Sequence, residues 1–424
     1  MRERVVFLLK AYGVTVVIFI LAKVVFMMSC HEATPVLTMG DVKDVLVHGL
    51  ALDLSTALYS LSVPFLLSMV CIWVTGCWLQ RILQGYYLLI AFAFALAFVA
   101  DTSLYEFWHF KLDATCLQYL EMPTEAMASV STGYVLVRLL TLILITLGIY
   151  LTYWYLTRRS IQRLCKPYAA KMRTKVGVFV ALFLFTPLII IGIRGGVDES
   201  TTNIGQVYYS QNQFLNHSAV NPVFSFLASF ENTASDAMTY DYYSPEELSQ
   251  LTQGLYDSES EAGDTLLSTQ RPNVVVILLE SCGKMFLNVM PHLRQAAAEG
   301  IDFTNCYGNS YRTDRGTVCS LSGYMSFPTM SVMKMSNKVG SLSSIARSLQ
   351  REGYSTDYLY GGDINFTKMK GYLISTGFER LHWKQDYTQE EQSTSKWGVR
   401  DDITFRTLSE MVSQHDDGKP FLIG

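Results

Sequence analysis

Two hydrophobic patterns divide the chain. Up to about Arg194 the apolar residues form five long stretches, Val5–Met28, Val45–Val74, Tyr86–Trp108, Val135–Leu156 and Val176–Ile193. Each approaches or exceeds the ~20 residues a helix needs to cross a bilayer. The first is interrupted by Lys10 and Lys23, but it is too long for a signal peptide and four more stretches follow. After Arg271 the apolar runs shorten and alternate with amphipathic segments, the pattern of a parallel α/β sheet. Val274–Leu279 reads as a strand buried on both faces, Pro291–Glu299 as a helix stopped by Gly300, and Ile301–Cys306 as a second strand. Thr313–Ser322 reads as a helix closed by Gly323, with Thr313 as its N-cap. Ser343–Arg351, Phe366–Ser375 and Asp401–Ser413 read as helices, and Tyr354–Tyr360 and Phe421–Ile423 as strands.

Between the two patterns the chain turns to Ser, Thr, Asn, Tyr and Gln. Val207–Phe230 keeps scattered aromatics, as a connector along a membrane surface or against a domain would. Ser244-Pro245-Glu246-Glu247 is a helix start, and Asp257–Gln270 reads as an exposed tether. The division is therefore 1–195 transmembrane, 196–270 extracytoplasmic linker with short helices, and 271–424 an α/β domain.

Composition narrows the picture. Half of the residues are hydrophobic and only 17% are charged, too apolar for an ordinary soluble protein. A net charge of −4, with no basic aromatic patch in the second half, speaks against a nucleic-acid partner. The eight cysteines show no metal-binding spacing and no disulfide framework. The loop Arg158–Lys175 carries Arg158, Arg159, Arg163, Lys166, Lys171, Arg173 and Lys175 with no acidic residue, which places it and the N-terminus in the cytoplasm. Five spans then put everything after Arg194 outside, on a cell (inner) membrane protein. Asp53 lies inside the second stretch, with His48 nearby. It is either a functional intramembrane carboxylate or an interfacial residue before the apolar part begins. Arg138 reads as a snorkelling cation.

The chemistry concentrates in Asn273–Gly323. Glu280 ends an apolar run, where the ligands of α/β sheets collect. Arg312-Thr313-Asp314-Arg315-Gly316 starts a helix, whose N-terminal N–H groups suit an anion. A carboxylate and a hydroxyl so placed fit a metal-activated nucleophile for phosphoryl or sulfuryl transfer. Each also has a plain structural reading: Thr313 as a cap, Glu280 capping a neighbouring helix, Arg315 pairing with Asp314 or Glu280 rather than clamping a phosphate. Cys319 lacks the proline and arginine that follow a formylglycine cysteine, and reads as a packing residue. Gly361-Gly362-Asp363 ends another strand, with glycines that allow backbone to approach a ligand closely. His382 and His415 read as surface residues.

Glu280, Thr313-Asp314-Arg315-Gly316 and the multi-span N-terminus together resemble the lipoteichoic acid synthase family, membrane sulfatase-like phosphoglycerol transferases of the alkaline phosphatase superfamily. The resemblance implies an enzyme in which Thr313 is nucleophile and metal ligand, Glu280 a metal ligand and Arg315 a catalytic residue. It implies a divalent metal, Mn²⁺ ahead of Mg²⁺ or Zn²⁺, whose remaining Asp-His ligands are expected beyond Gly424. The head group would meet Tyr360, Asp363, Asn365 and Lys368, where the family carries a histidine, a tryptophan and an arginine. The donor implied is a membrane phospholipid, phosphatidylglycerol first, and the acceptor a glycan or glycolipid. The alternatives are a membrane-tethered sulfatase or phosphodiesterase that uses water, and a non-catalytic binding or scaffold module. On this reading the 424-residue chain is a truncated enzyme, inactive by itself.

Overall fold

The computed structural model describes residues 1–30, 37–117, 131–166, 171–236, 242–254, 267–310, 312–327, 330–415 and 418–424. Most of the expected tether, 257–266, lies outside them. The chain forms two compact units. The first holds Met1–Phe230 together with Met333–Ser341 and Asp363–Ser375, and the second holds the remainder.

Five helical stretches of the first unit are long and apolar enough to cross a membrane. They are α1 (Arg2–Ser29), α2 (Met39–Val70), α3 (Cys77–Trp108), α4 (Thr132–Leu164), and a fifth made of α5 (Met172–Phe183) and α6 (Thr186–Arg194). The fifth is broken where one helix was expected, because Pro187 in the first turn of α6 has no N–H to continue the ladder from α5. α2 starts on a Thr38–Asp41 capping box, in which each residue bonds the other's backbone N–H. The bundle core is aromatic. Phe19 meets Phe94 with ring centroids 4.8 Å apart, Tyr87 stacks on Tyr153 at 4.6 Å, and the Tyr153 hydroxyl bonds Thr15 at 2.7 Å.

Asp53 is fully buried, against protein rather than lipid or water. Its Oδ2 accepts from Lys23 Nζ at 2.7 Å and its Oδ1 from Asn221 Nδ2 at 2.9 Å, while Lys23 also donates to the Gly49 carbonyl at 2.7 Å. A buried ion pair survives only when its remaining donors and acceptors are satisfied, and Asn221 and Gly49 provide that. Gly49 is forced: a Cβ there would collide with the Ala219 carbonyl and with Lys23. Arg138 pairs with Glu106, which also accepts from the Tyr134 hydroxyl at 2.7 Å.

The connector joins this unit through a 3₁₀ turn at Ile204–Val207, α7 (Gln213–Ala219) and α8 (Pro222–Asp236). His217 of α7 lies between the Tyr105 hydroxyl (3.0 Å) and Gln213 Nε2 (2.8 Å), and burial pushes its imidazole down to about 3. The segment Asp363–Ser375 packs on the connector. Gly205 and Gly371 come so close that a Cβ on Gly371 would stand 2.9 Å from the Gly205 Cα.

The second unit contains α9 (Pro245–Thr252), β1 (Val274–Val275), α10 (Pro291–Glu299), α11 (Thr313–Ser322), α12 (Ile345–Arg351) and β2 (Ser355–Tyr360). After α13 (Met369–Ser375), which belongs to the first unit, come β3 (Arg380–Trp383), α14 (Asp401–Ser413) and β4 (Phe421–Ile423). The four strands form one parallel sheet in the order β1-β4-β2-β3. β4 is central and buried, as its apolar run implies.

Two expected strands differ. β1 is two residues rather than the whole of Val274–Leu279, because it lies at the sheet edge against a three-residue partner, and its last ladder bond is Val276 N–H to the Ile423 carbonyl at 2.9 Å. Beyond it Ile277 is 51% exposed, not buried on both faces. Ile301–Cys306 forms no strand, and its apolar residues Ile301 and Phe303 are exposed. β3 was not expected. Its Arg380-Leu381-His382-Trp383 run is too short for periodicity to be read.

Candidate active site

The chain beyond β1 reaches Glu280 and turns at Ser281, whose φ of +58° is the left-handed conformation uncommon for a residue with a side chain. α11 begins opposite. Its N-cap is Arg312, in extended conformation, and Thr313 is the first helical residue rather than the cap. Freed from capping, the Thr313 hydroxyl donates to Glu280 Oε1 at 2.8 Å. The two residues singled out from sequence are thus in direct contact, 33 positions apart in the chain.

α11 is held by its buried face, Asp314, Thr317, Val318 and Leu321, and ends on Gly323 at φ +66°, whose N–H bonds the Cys319 carbonyl at 3.0 Å. Cys319 is half-buried, and burial raises its thiol above the usual range, away from the reactive thiolate. Arg315 stands in the first turn of the same helix and lines a small, open pocket with Val318, Tyr324, Phe327 and Val332.

Glu280 and Thr313 supply two oxygen donors, the kind a hard divalent cation takes. Among the described residues no three His, Cys, Asp or Glu side chains converge to complete a metal site.

The four expected head-group residues are divided. Tyr360 ends β2 in the second unit, while Asp363, Asn365 and Lys368 lie in the first. Asp363 is nearly buried. Its Oδ2 accepts from Ser200 N at 3.2 Å and its Oδ1 from Asn365 N at 2.9 Å and Nδ2 at 3.1 Å. The Asn365 carbonyl accepts from Asn203 at 3.1 Å, and Lys368 donates to the Lys334 carbonyl at 3.0 Å. Thr367 and Lys368 both have positive φ, 54° and 64°. The expected role of Gly361-Gly362 needs correction for Gly361: the backbone it lets approach is that of Val399, whose oxygen would lie 2.8 Å from a Cβ at Gly361.

One cluster was missed. Asp357 of β2 accepts from Arg380 Nε at 2.7 Å and Nη2 at 2.8 Å, and pairs with His382 Nε2 at 3.3 Å. His382 is therefore not a residue without partners. Arg380 and His382 are two apart on β3 and share a face. Burial raises the Asp357 carboxyl, but the hydrogen bonds from Arg380 and His382 outweigh it and leave the group low. The Asp357 bond raises the His382 imidazole.

Comparison with known proteins bears on the whole second half. The family model described as "Sulfatase" matches residues 272–424. This stretch is similar to sulfatase domains. The chain is 30% identical over 176 residues to Phosphoglycerol transferase I of Xanthomonas axonopodis pv. citri (strain 306), covering 36% of this chain and 24% of that protein. It is 28% identical over 180 residues to the protein of the same name from Xanthomonas campestris pv. campestris (strain B100), with the same coverage of 36% and 24%. The match thus spans about a quarter of the length of these curated relatives. A solved structure, a protein in the alkaline phosphatase superfamily from Vibrio parahaemolyticus, is 30% identical with a TM-score of 0.34, over 37% of this chain and 40% of that one. The architecture is therefore five apolar helices followed by an α/β domain with a parallel sheet, similar in sequence to sulfatases.

Proposed function

We propose that the sulfatase domain works as a membrane-bound phosphotransferase, moving a phosphoglycerol-type head group from a phospholipid to a glycan or glycolipid. Phosphatidylglycerol is the donor on this reading. The relatives' name supports the group transferred, and the observation that carries the reaction is the Thr313–Glu280 contact at 2.8 Å. A hydroxyl at the start of a helix, hydrogen-bonded to a carboxylate, has its lone pairs free for a phosphorus atom and helix N–H groups nearby for the anion. Thr313 Oγ1 attacks the phosphodiester, and the bond from phosphorus to the diacylglycerol oxygen breaks. The hydroxyl proton passes to Glu280, and from there to the leaving diacylglycerol oxygen. The acceptor hydroxyl then attacks the phosphothreonine and releases Thr313. Arg315, two residues along the helix, is the cation for the phosphate. A divalent metal, Mn²⁺ first, would be held by Glu280 and Thr313, and when bound it lowers the pKa of the hydroxyl. The orientation that brings the site to the donor leaflet has the N-terminus in the cytoplasm and the sulfatase domain outside.

The test is diacylglycerol release from labelled phosphatidylglycerol by the full-length protein with Mn²⁺. Thr313→Ala should abolish release, while Cys319→Ala retains most of it. Thr313→Ala should fold normally, since Thr313 is not the cap. Undiminished release in Thr313→Ala overturns the nucleophile. Release of glycerol phosphate to water at the full rate, with no acceptor consumed, favours the hydrolase instead.

A further inference from the structure

The first unit carries a group of polar side chains that neither the bundle nor the proposed reaction uses. α2 has 32 residues and is therefore about 48 Å long, against a hydrocarbon core of about 30 Å, so roughly 18 Å of it stands in the head-group region. Its charged and polar residues identify which end. Asp41, Lys43, Asp44 and His48 all fall in the first ten residues, whereas Asp53 farther along is sealed by Lys23 and Asn221.

At this end the exposed imidazole of His48 stacks on Tyr209 of the connector, with centroids 4.3 Å apart and planes 8° from parallel. The Tyr209 hydroxyl is shielded from solvent and has no hydrogen-bond partner among the described residues. Lys370 of α13 is within electrostatic reach of His48. Its ammonium meets the Gln206 carbonyl at 3.0 Å and no carboxylate among the described residues. Burial depresses its affinity for the proton. A desolvated ammonium with one carbonyl partner, an orphan hydroxyl and an imidazole here can all donate further hydrogen bonds, and such groups are costly unless an anion completes them. Asp44 reaches the same patch, one turn before His48 and within electrostatic reach of both His48 and Tyr209. A carboxylate there disfavours a doubly charged phosphate and would accept a hydrogen bond from a neighbouring hydroxyl. Asp41, which also reaches Tyr209, is occupied by its bonds to Thr38.

We propose that His48, Tyr209 and Lys370 bind the phosphodiester of a membrane phospholipid at the head-group level, with Asp44 accepting a hydrogen bond from the head group. This is a docking site on the first unit, separate from the Thr313 chemistry. It rests on the proposed function only in that the lipid bound is of the donor's class.

Native mass spectrometry of the 424-residue chain, released from a neutral detergent and titrated with short-chain phosphatidylglycerol, reads the affinity. We expect saturable binding that Lys370→Gln weakens about tenfold, the scale of one charge-assisted hydrogen bond, and that Lys370→Arg largely restores. Short-chain diacylglycerol, which lacks the phosphodiester, should not compete, and neither should inorganic phosphate. Equal competition by inorganic phosphate overturns the lipid assignment, and unchanged affinity in Lys370→Gln overturns the site. Should Lys370→Gln fail to fold, Tyr209→Phe removes only the hydroxyl, and unchanged affinity there is equally fatal. Thr313→Ala should bind as the parent does, so lost turnover with intact binding concerns the transferase reading alone. Lost binding specificity with intact turnover counts against this site alone.

Discussion

At the scale of single residues, two histidines pull the pH dependence in opposite directions. The folded state raises His382, through its bond to Asp357, so its contribution is complete below the unfolded value of about 6.5 and fades as pH rises through the higher folded value. His217 is depressed to about 3 by burial, so its site costs nothing above about 6.5 and becomes a growing penalty as pH falls below it. Asp357, held low, adds stability that disappears on acidification below its unfolded value near 4. Thermal unfolding followed from pH 5 to 8 should therefore show a loss at the alkaline side that His382→Gln removes, and a loss at the acid side that His217→Gln reduces. A His382→Gln profile identical to the parent's would refute the pairing. Thr313 and Glu280 were legible in the sequence because each carries a local signal, the end of an apolar run and the start of a helix. Asp357 and His382 were not, because their contact depends on the parallel register of β2 and β3, in which Leu359 faces His382 and Asp357 faces Arg380. Nothing local encodes that register.

At the scale of elements, the Lys23–Asp53–Asn221 network ties α1 and α2 to the start of α8. Removing one charge strands the other in a buried site, which costs about 3–5 kcal/mol, whereas replacing both with apolar residues of similar size is often neutral. Asp53→Leu and Lys23→Met should each lower the unfolding temperature in detergent clearly, and the double variant should recover most of the loss. Additive losses would mean that the two residues stabilise the bundle independently. Helices were read from the sequence far better than strands. α11 and α14 match their expected bounds, since helix-start residues, periodicity and, for α11, a closing glycine mark them. The run after Val274 was misjudged because its composition is that of a buried strand, while the length of a strand is set by the partner it pairs with.

At the scale of the whole molecule, two native cysteines report the topology. Cys77, exposed at the start of α3, should face the cytoplasm, and Cys306, exposed in the sulfatase domain, the outside. A membrane-impermeant maleimide on intact cells (with any outer membrane opened) should modify Cys306 and spare Cys77 until lysis. The reverse pattern would invert the chain and with it the proposed donor leaflet. Residues 363–375 add a further consequence. They fall inside the sulfatase-like stretch by sequence, yet they pack on the connector, where Tyr372 and Leu373 are fully buried and Gly371 abuts Gly205. The helices are therefore not an interchangeable anchor that any apolar peptide could replace. Excising residues 272–424 would remove the connector residues that cover α13, and transplanting them onto foreign spans would leave the same apolar surface open, so α13 keeps its cover only together with its own connector.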